Sequence, residues 1–519
     1  MIGKSLPFQT NDPQLNGPQY LEDLATGYWY SEALFTALEL NIFTLLEPEG
    51  KRLKELAESL NLESIGLQRF LQALCALGLL DQYGEVYFNT RVSQEFLVKG
   101  KENYQGESIL WRKRLFPNWR SLRRCLKMGG RVRYTRKDEG QEKVVRRIRQ
   151  YGRAMDCVAE NKVKEFLPFL AKLNSLGEIL DVGSGPGTIS LRLLEHFPDA
   201  RATLMDIPEV LDYAQERLEV TEQSDRFEYC SANILEPWPL KKEHYDLVIL
   251  SNIVHAYAEA EIREVLDRAV ACLKPDGLLL IHDFFHEHFA EKAALFDINM
   301  FVNTYNGKVY EAQWIREQLG LRNLSVTEML PLHSDTALIF AAKDENCLQN
   351  LCLDSKTQLM ARIQRQGFSS VRIIPVENIQ IPGWTDLRCQ FGCSSYGKPH
   401  CPPNSLSAEK TKEMLKDYTH GLLLEGTPPT SSFQRLVLKA EKEAFTAGYY
   451  KAFALWAGPC TLCEKCNGEK GCINTKEARP SMEASGIDVF STVQKAGIAL
   501  RPLTEGRDFV KYFAILLLE

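Results

Sequence analysis

From Tyr20 to Leu97 apolar residues recur at i, i+3 and i+4 in YWYSEALFTALELNIFTLL and SIGLQRFLQALCALGLL, a spacing that predicts amphipathic helices. LKELAESLNLESIGLQRFLQALCALGLL followed by DQYGEVYFNT reads as helix, turn, helix and small hairpin, a winged-helix outline with its second helix over Ser64–Leu79. From Gly177 to Lys343 the pattern changes. The β-rich runs GEILDVG, ATLMDIP, DLVILSN, GLLLIHDFF and ALIFAAK alternate with helical stretches, the order of a doubly wound, Rossmann-like α/β domain. DENCLQNLCLDSKTQ reads as a linker feeding a helix, and FSSVRIIPV, GLLLEG, KAFALWAG and FAILLLE then predict strands of a C-terminal α+β domain. The expected boundaries are 1–100 for the helical winged-helix domain, 101–175 for a basic helical connector, 176–343 for the α/β domain, 344–360 for the linker and 361–519 for the last domain.

A chain of 519 residues is too long for a single hydrophobic core, in keeping with this division. With 45% hydrophobic and 25% charged residues and a net charge of −6, the composition gives no reason to expect nucleic acid or a membrane surface as a partner. MIGKSLPFQTNDPQ has no apolar leader, and no uncharged apolar run is long enough to span a bilayer, so the expected location is the cytoplasm. The basic stretch Trp111–Arg153 reads as a solvated helical face, as an anion-binding wall for a carboxylated or phosphorylated substrate, or as a nucleic-acid contact; Trp111, Phe116 and Trp119 within it suit either a substrate-facing surface or the core.

ILDVGSGPGTISLRLL is a strand, a glycine-rich turn and a helix, in which Gly183, Gly185 and Gly187 let the backbone approach a ligand. Asp206 ends the next strand, where a carboxylate accepts from ribose hydroxyls, and Asn233 ends a third segment, where an amide reaches an adenine. Asp181, Asp206 and Asn233 thus share the carboxyl rim of the sheet, where open α/β sheets bind ligands. No second nucleotide half is visible, which favours S-adenosylmethionine over a dinucleotide. His255, after a hydrophobic strand at the same rim, suits a general base. Strand alternation turns His282 away from Asp283, and the i, i+2 pair His286 and His288 lacks helical metal-ligand spacing.

LDVGSGPGT, LMDIP, ANIL, LSNIVHAYAEAEIREVLDRAVACLKPDG and IHDFF together resemble the S-adenosylmethionine-dependent O-methyltransferases of the caffeate and hydroxyindole type, over about Pro18–Lys343. The resemblance implies a winged-helix dimerisation domain, a homodimer, His255 as the base and Asp283 as the acid that orients it. The chain departs from the family pattern at three places. The residue after the histidine is Ala256 rather than Asp, a second acidic partner falls on Val309, and a lysine that some members place near the cofactor is Ser251.

Seven of the fourteen cysteines lie in the last domain: Cys389, Cys393 and Cys401 in LRCQFGCSSYGKPHCPP, and Cys460, Cys463, Cys466 and Cys472 in PCTLCEKCNGEKGC. In a reducing compartment such clusters are metal ligands or redox thiols rather than disulfides. The C-x₂-C-x₂-C-x₅-C spacing is close to that of ferredoxin clusters, which points to a [4Fe-4S] cluster, with zinc as the alternative. The first three cysteines need a fourth ligand, which His400, a residue from elsewhere or an open position for substrate would supply, and a single site drawing on both cysteine groups is the other arrangement. RCQFGCSSYGKPHCPP, GPCTLCEKC and ARPSMEASGIDVF resemble a prokaryotic cysteine-rich family described only as predicted metal-binding, over about Ala361–Glu519.

The combined expectation is a methyltransferase that acts on the hydroxyl of a small aromatic or cofactor-like acceptor, with the metal domain in a redox or substrate-binding role. Transfer to a thiol, a carbon or a metal-bound acceptor is the variant reading. A redox-sensing winged-helix regulator is the alternative from another class, and a metal chaperone a further one.

Overall fold

The computed structural model describes residues 17–134, 140–173, 175–353, 355–464, 466, 471–498, 500 and 511–519. The middle of the basic stretch (135–139) and part of the cysteine run (467–470) lie outside the described residues. Two compact units result, one of residues 28–353 and one of the chain beyond, which also takes in the helix Pro18–Thr26.

The first unit begins with helices Tyr28–Glu39 and Ile42–Leu45, strand β1 (Lys51–Arg52), helices Leu53–Leu60 and Ser64–Ala76, and the hairpin β2 (Leu80–Tyr83) and β3 (Val86–Asn89). The three strands form an antiparallel sheet in the order β1-β3-β2. Leu67, Leu71 and Leu74 put one stripe of the helix Ser64–Ala76 into a core with Leu56, Leu80 and Tyr87, while Ile65 on another face stays 65% exposed.

Helices Gly106–Trp119 and Leu122–Met128 follow, then a 30-residue helix, Gln141–Leu170. Val163, Phe166 and Leu170 seat its last turns on the large sheet. That sheet contains β4 (Glu178–Val182), β5 (Arg201–Asp206), β6 (Phe227–Ser231), β7 (Tyr245–Ser251), β8 (Leu273–Asp283), β9 (Ser325–Val326), β10 (Leu330–Pro331) and β11 (Ala337–Ala342). Its order is β10-β11-β8-β7-β4-β5-β6, with β9 also on β11. Strands β4 to β8 run parallel, and β11 is antiparallel to β8. Ile179 faces one core and Leu180 the other, so β4 is buried on both sides and reads in sequence as a continuous apolar run. The strand order reverses beside β4, between β5 and β7, which opens a crevice at the carboxyl ends of these strands.

The expected linker is partly structured. Asp344 caps the helix Glu345–Gln349 by accepting from the Asn346 amide, Leu351 is 2% exposed, and the Cys352 amide donates to the Phe169 carbonyl at 2.7 Å. In the second unit β12 (Ser370–Pro375), β13 (His420–Gly426), β14 (Phe453–Leu455) and β15 (Tyr512–Leu517) form an antiparallel sheet in the order β12-β13-β15-β14. Leu422 and Leu424 face the helix Thr430–Thr446, and Leu423 and Ile515 face Met482 and Val493. No helix among the described residues is long and apolar enough to cross a membrane.

Candidate functional site

A cavity of about 1250 Å³ opens over the crevice, lined from the glycine turn, the strand ends and the helices Gly106–Trp119, Gln141–Leu170 and Ala290–Asn303. Gly183 and Gly185 line it; Gly187 does not. At Gly185, φ is +55° and an added Cβ would meet nothing within 4 Å, so this residue presents bare backbone to the open space. At Gly187, φ is +75° and a Cβ would press on Leu204 and Leu218 at 2.8 Å, so its bareness serves the packing of the following helix on β5.

Asp206 closes β5 under the turn. Its Oδ2 accepts from the Gly185 amide at 2.9 Å and its Oδ1 from the Ile207 amide at 2.8 Å, which fixes the carboxylate plane. Burial raises its pKa, against the pull of the two amides. Asn233 also lines the cavity, its Oδ1 accepting from the Leu235 amide at 3.0 Å. Asp181 and Ser251 are not among the lining residues. Asp181 is 2% exposed and accepts from the Ser190 hydroxyl at 2.8 Å, pinning the helix Thr188–His196 to β4; burial pushes its pKa up to about 7. Ser251 is bonded to His282 Nδ1 at 2.8 Å.

His255 and Asp283 meet at the ends of β7 and β8. His255 Nδ1 lies 2.6 Å from Asp283 Oδ1, the His255 amide donates to Oδ2 at 3.2 Å, and the Phe284 amide donates to Oδ1 at 2.7 Å. The Asp283 side chain is 1% exposed and that of His255 12%, and the imidazole lines the cavity edge-on to Phe284 and Phe296, which stack on each other at 3.8 Å. With Nδ1–H given to the carboxylate, Nε2 carries the lone pair. Val309, where the family pattern has a second acid, is 2% exposed and packs with Phe284 and Ala293. The imidazole therefore has one carboxylate partner among the described residues. His282, one residue before Asp283, points to the other face: its nitrogens bond Ser251 and Thr336 and burial lowers its pKa to about 3, so it stays neutral. His288 Nε2 donates to the Ser334 carbonyl at 2.8 Å, so it too is a structural group.

Phe284 and Phe296 carry no sequence signal beyond hydrophobicity, and the neighbour relation to His255 is purely tertiary. Of the aromatic residues in the basic stretch, Trp111 lines the cavity and meets Tyr151 edge-on at 5.2 Å. Trp119 instead donates to Asn299 Oδ1 at 2.9 Å, and Phe116 is 41% exposed outside the lining.

In the second unit the seven cysteines form two adjoining groups. Burial, then Cys393, Cys389 and across the groups Cys460, push the Cys401 thiol up to about 11; Cys460 in turn is raised by burial and by Cys472, Cys463 and Cys466. The Ser395 amide donates to Cys393 Sγ at 3.4 Å, the Asn474 amide to Cys472 Sγ at 3.3 Å and the Asn474 side chain to Cys463 Sγ at 3.0 Å. Such N–H···S bonds favour thiolates and tune iron–sulfur centres. Thiolate donors suit a soft metal, but no three His, Cys, Asp or Glu side chains among the described residues converge on one metal-holding point, so closure of a ligand shell would require side-chain movement. His400 Nε2 is buried without a hydrogen-bond partner among the described residues.

Comparison with known proteins agrees with this division. The O-methyltransferase dimerisation domain matches residues 22–99 and the O-methyltransferase domain residues 130–321. This part of the chain is thus similar to O-methyltransferases over residues 22–99 and 130–321. The family "Predicted metal-binding protein (DUF2284)" matches residues 372–518. The O-methyltransferase part is 28% identical to the tetracenomycin polyketide synthesis 8-O-methyl transferase of Streptomyces glaucescens, over 58% of this chain and 89% of that protein. It is also 28% identical to the 3-hydroxy-5-methyl-1-naphthoate 3-O-methyltransferase of Streptomyces sahachiroi, over 59% and 90%. Human N-acetylserotonin methyltransferase in complex with S-adenosylmethionine shares the fold, with a TM-score of 0.55, 21% identity and coverage of 63% of this chain and 98% of that one.

Proposed function

We propose that this protein transfers a methyl group from S-adenosylmethionine to the hydroxyl of a small aromatic acceptor, with His255 as general base and Asp283 as the residue that orients it. The observation that carries the reading is the 2.6 Å contact of His255 Nδ1 with a buried Asp283, in a cavity shared with Gly185 and Asp206. The open backbone at Gly185, the fixed Asp206 carboxylate and the Asn233 amide fit a nucleoside: Asp206 would receive ribose hydroxyls and Asn233 the adenine edge. S-adenosylmethionine, when bound, supplies an electrophilic methyl group on a sulfonium.

The chain's own residues do the rest. Nε2 of His255 accepts the acceptor's hydroxyl proton as the oxygen becomes bonded to carbon, and Asp283 stabilises the imidazolium that forms. The three bonds that hold Asp283 fix the ring's tautomer and direction before the acceptor arrives. The stacked Phe284 and Phe296 make an apolar wall beside the base, which keeps water from the developing phenolate.

The reading extends to a homodimer formed through the dimerisation domain, with a winged-helix arrangement of its helices and hairpin, and to a cytoplasmic protein. In the second unit Cys460, Cys463, Cys466 and Cys472 hold a [4Fe-4S] cluster, with Cys389, Cys393 and Cys401 as a second ligand group; zinc is the alternative metal. The redox or substrate-binding service of this unit to the methyltransferase is part of the same proposal. Calorimetry with S-adenosylhomocysteine on anaerobically purified protein, followed by methyl transfer to a panel of phenols with wild type and His255→Ala, tests it. Binding of the product with loss of turnover in the variant supports the reading; absence of binding, or unchanged turnover in His255→Ala, overturns it.

A further inference from the structure

The helix Thr430–Thr446 of the second unit turns two polar side chains inward on one stripe. Gln434 is fully buried, and Glu441 lies two turns, or about 10 Å, further along the same face. Burying an amide is costly unless each of its polar atoms finds a partner. Gln434 meets that condition in full. Its Nε2 donates to the Ala457 and Pro459 carbonyls, both at 3.0 Å. Its Oε1 accepts from the Thr461 amide at 3.0 Å and from the Thr461 hydroxyl at 2.8 Å. All of these partners lie within 457–461, and they bracket Cys460, with Pro459 before it and Thr461 after it.

Glu441 serves the other end of the cysteine run. Its Oε2 accepts from the Ala454 amide at 2.7 Å and from Arg479 Nε at 2.9 Å. Arg479 Nη1 in turn donates to the Lys476 carbonyl at 3.1 Å and the Ala478 carbonyl at 3.0 Å. The Ala478 amide donates to the Asn474 carbonyl at 2.9 Å, so this stem reaches the residue that donates to Cys463 and Cys472. None of the bonds made by Gln434, Glu441 and Arg479 uses a thiol, so the helix sets both stems independently of any metal. We propose that Gln434 is the positioning residue of the metal centre: by fixing the backbone on both sides of Cys460 it delivers that thiol at a set place relative to the exit stem. Fewer residues then have to be ordered when the ligand shell closes, and each ordered residue is costly in conformational entropy. The closing movement belongs to the cysteine side chains and not to the stems. The inference rests on the metal reading of this unit and deepens it by naming the residue that prepares the site.

The test compares metal retention with fold stability in the full chain, purified anaerobically. Iron, sulfide and zinc are assayed first, and the rate at which the metal is lost to excess EDTA is then followed well below the melting temperature. Gln434→Met keeps the length of the side chain and removes all of its hydrogen bonds, and Thr461→Val removes only the hydroxyl bond. Thr492→Val is the control for a purely structural loss: it deletes a buried bond of the same unit, from the Gln380 amide at 3.0 Å, that holds no cysteine segment. Metal loss is expected to be about 10- to 100-fold faster in Gln434→Met, the range for partners that orient metal ligands, and intermediate in Thr461→Val. Thr492→Val lowers the melting temperature and releases metal at the wild-type rate. Metal held by Gln434→Met as firmly as by Thr492→Val overturns the proposal. If Gln434→Met does not fold, Thr461→Val decides, and a wild-type rate there overturns it equally. A wild type with neither iron nor zinc overturns the metal reading and this inference with it, whereas metal that is present and lost at one rate from every variant overturns the inference alone.

Discussion

Replacement of Asp283 by Asn keeps the size of the side chain and changes the direction of one hydrogen bond. Oδ1 accepts from both His255 Nδ1 and the Phe284 amide, and Oδ2 accepts from the His255 amide. An asparagine has one oxygen for these three donors. If its oxygen keeps the Oδ1 position, its NH₂ confronts the His255 amide; if it flips, its NH₂ confronts the Phe284 amide and can be satisfied at the ring only by a bare Nδ1. The flip moves the imidazole proton to Nε2 and removes the lone pair that faces the acceptor. General-base catalysis contributes roughly 10²- to 10⁴-fold, so kcat in Asp283→Asn is expected to fall within that range, about 3–5 kcal/mol of barrier. The glycine turn and Asp206 are untouched, so S-adenosylhomocysteine affinity stays within about threefold, an allowance of roughly 0.6 kcal/mol. Single-turnover methyl transfer to a phenol panel, with calorimetry for the product and a thermal melt for the lost backbone partner, separates the terms. A variant that retains its wild-type kcat refutes the role given to Asp283.

Gly185→Val is expected to lose S-adenosylhomocysteine binding by at least about tenfold in calorimetry, since its side chain enters the cavity from a positive-φ position; the fold loses only about 1–2 kcal/mol. Two buried groups set opposing pH dependences of stability. Asp181, raised to about 7 in the fold, is ionised earlier in the unfolded chain, so its contribution falls as pH rises from about 4 to 7. Asp181→Asn should therefore gain on the order of 2–3 kcal/mol over wild type between pH 5 and pH 8 in urea unfolding, and equal gains at both pH values would contradict this. His282, lowered to about 3, works the other way: the unfolded chain binds its proton first, so stability is lost as pH falls below about 6.5, and His282→Gln removes that acid sensitivity. Anaerobically purified protein is expected to hold iron and acid-labile sulfide, and Cys460→Ser to lose both; zinc without sulfide assigns the alternative metal, and metal content unchanged in Cys460→Ser excludes that thiol as a ligand.

The parts of the fold visible in the sequence are those where local pattern and tertiary environment agree. Strands such as β4 and β11 are buried on both faces, so each is a plain apolar run, and Leu67, Leu71 and Leu74 announce their helix by spacing alone. The turn glycines were visible as a group, but their separate duties were not: whether a Cβ meets a cavity, as at Gly185, or Leu204 and Leu218, as at Gly187, depends on chain from elsewhere. Asp181 illustrates the same limit, since a carboxylate at a strand end looks the same in sequence whether it faces a ligand or Ser190. The packed segment Asp344–Cys352 read as a linker because its anchors, Phe169 above all, are far away in the chain.

His282 and Asp283 are consecutive residues with opposite assignments, one sealed in the interior and one serving the imidazole of His255. What separates the assignments is the pleat of a single strand, β8, which is clamped by ladders on both flanks: Ser251 opposite His282 on β7, and Ala337 opposite Asp283 on β11. A slip of one residue would send the neutral ring toward the acceptor and drive a carboxylate into an apolar interior. The alignment of a long central strand, far more than any loop, is thus the mechanical setting on which the proton's destination depends.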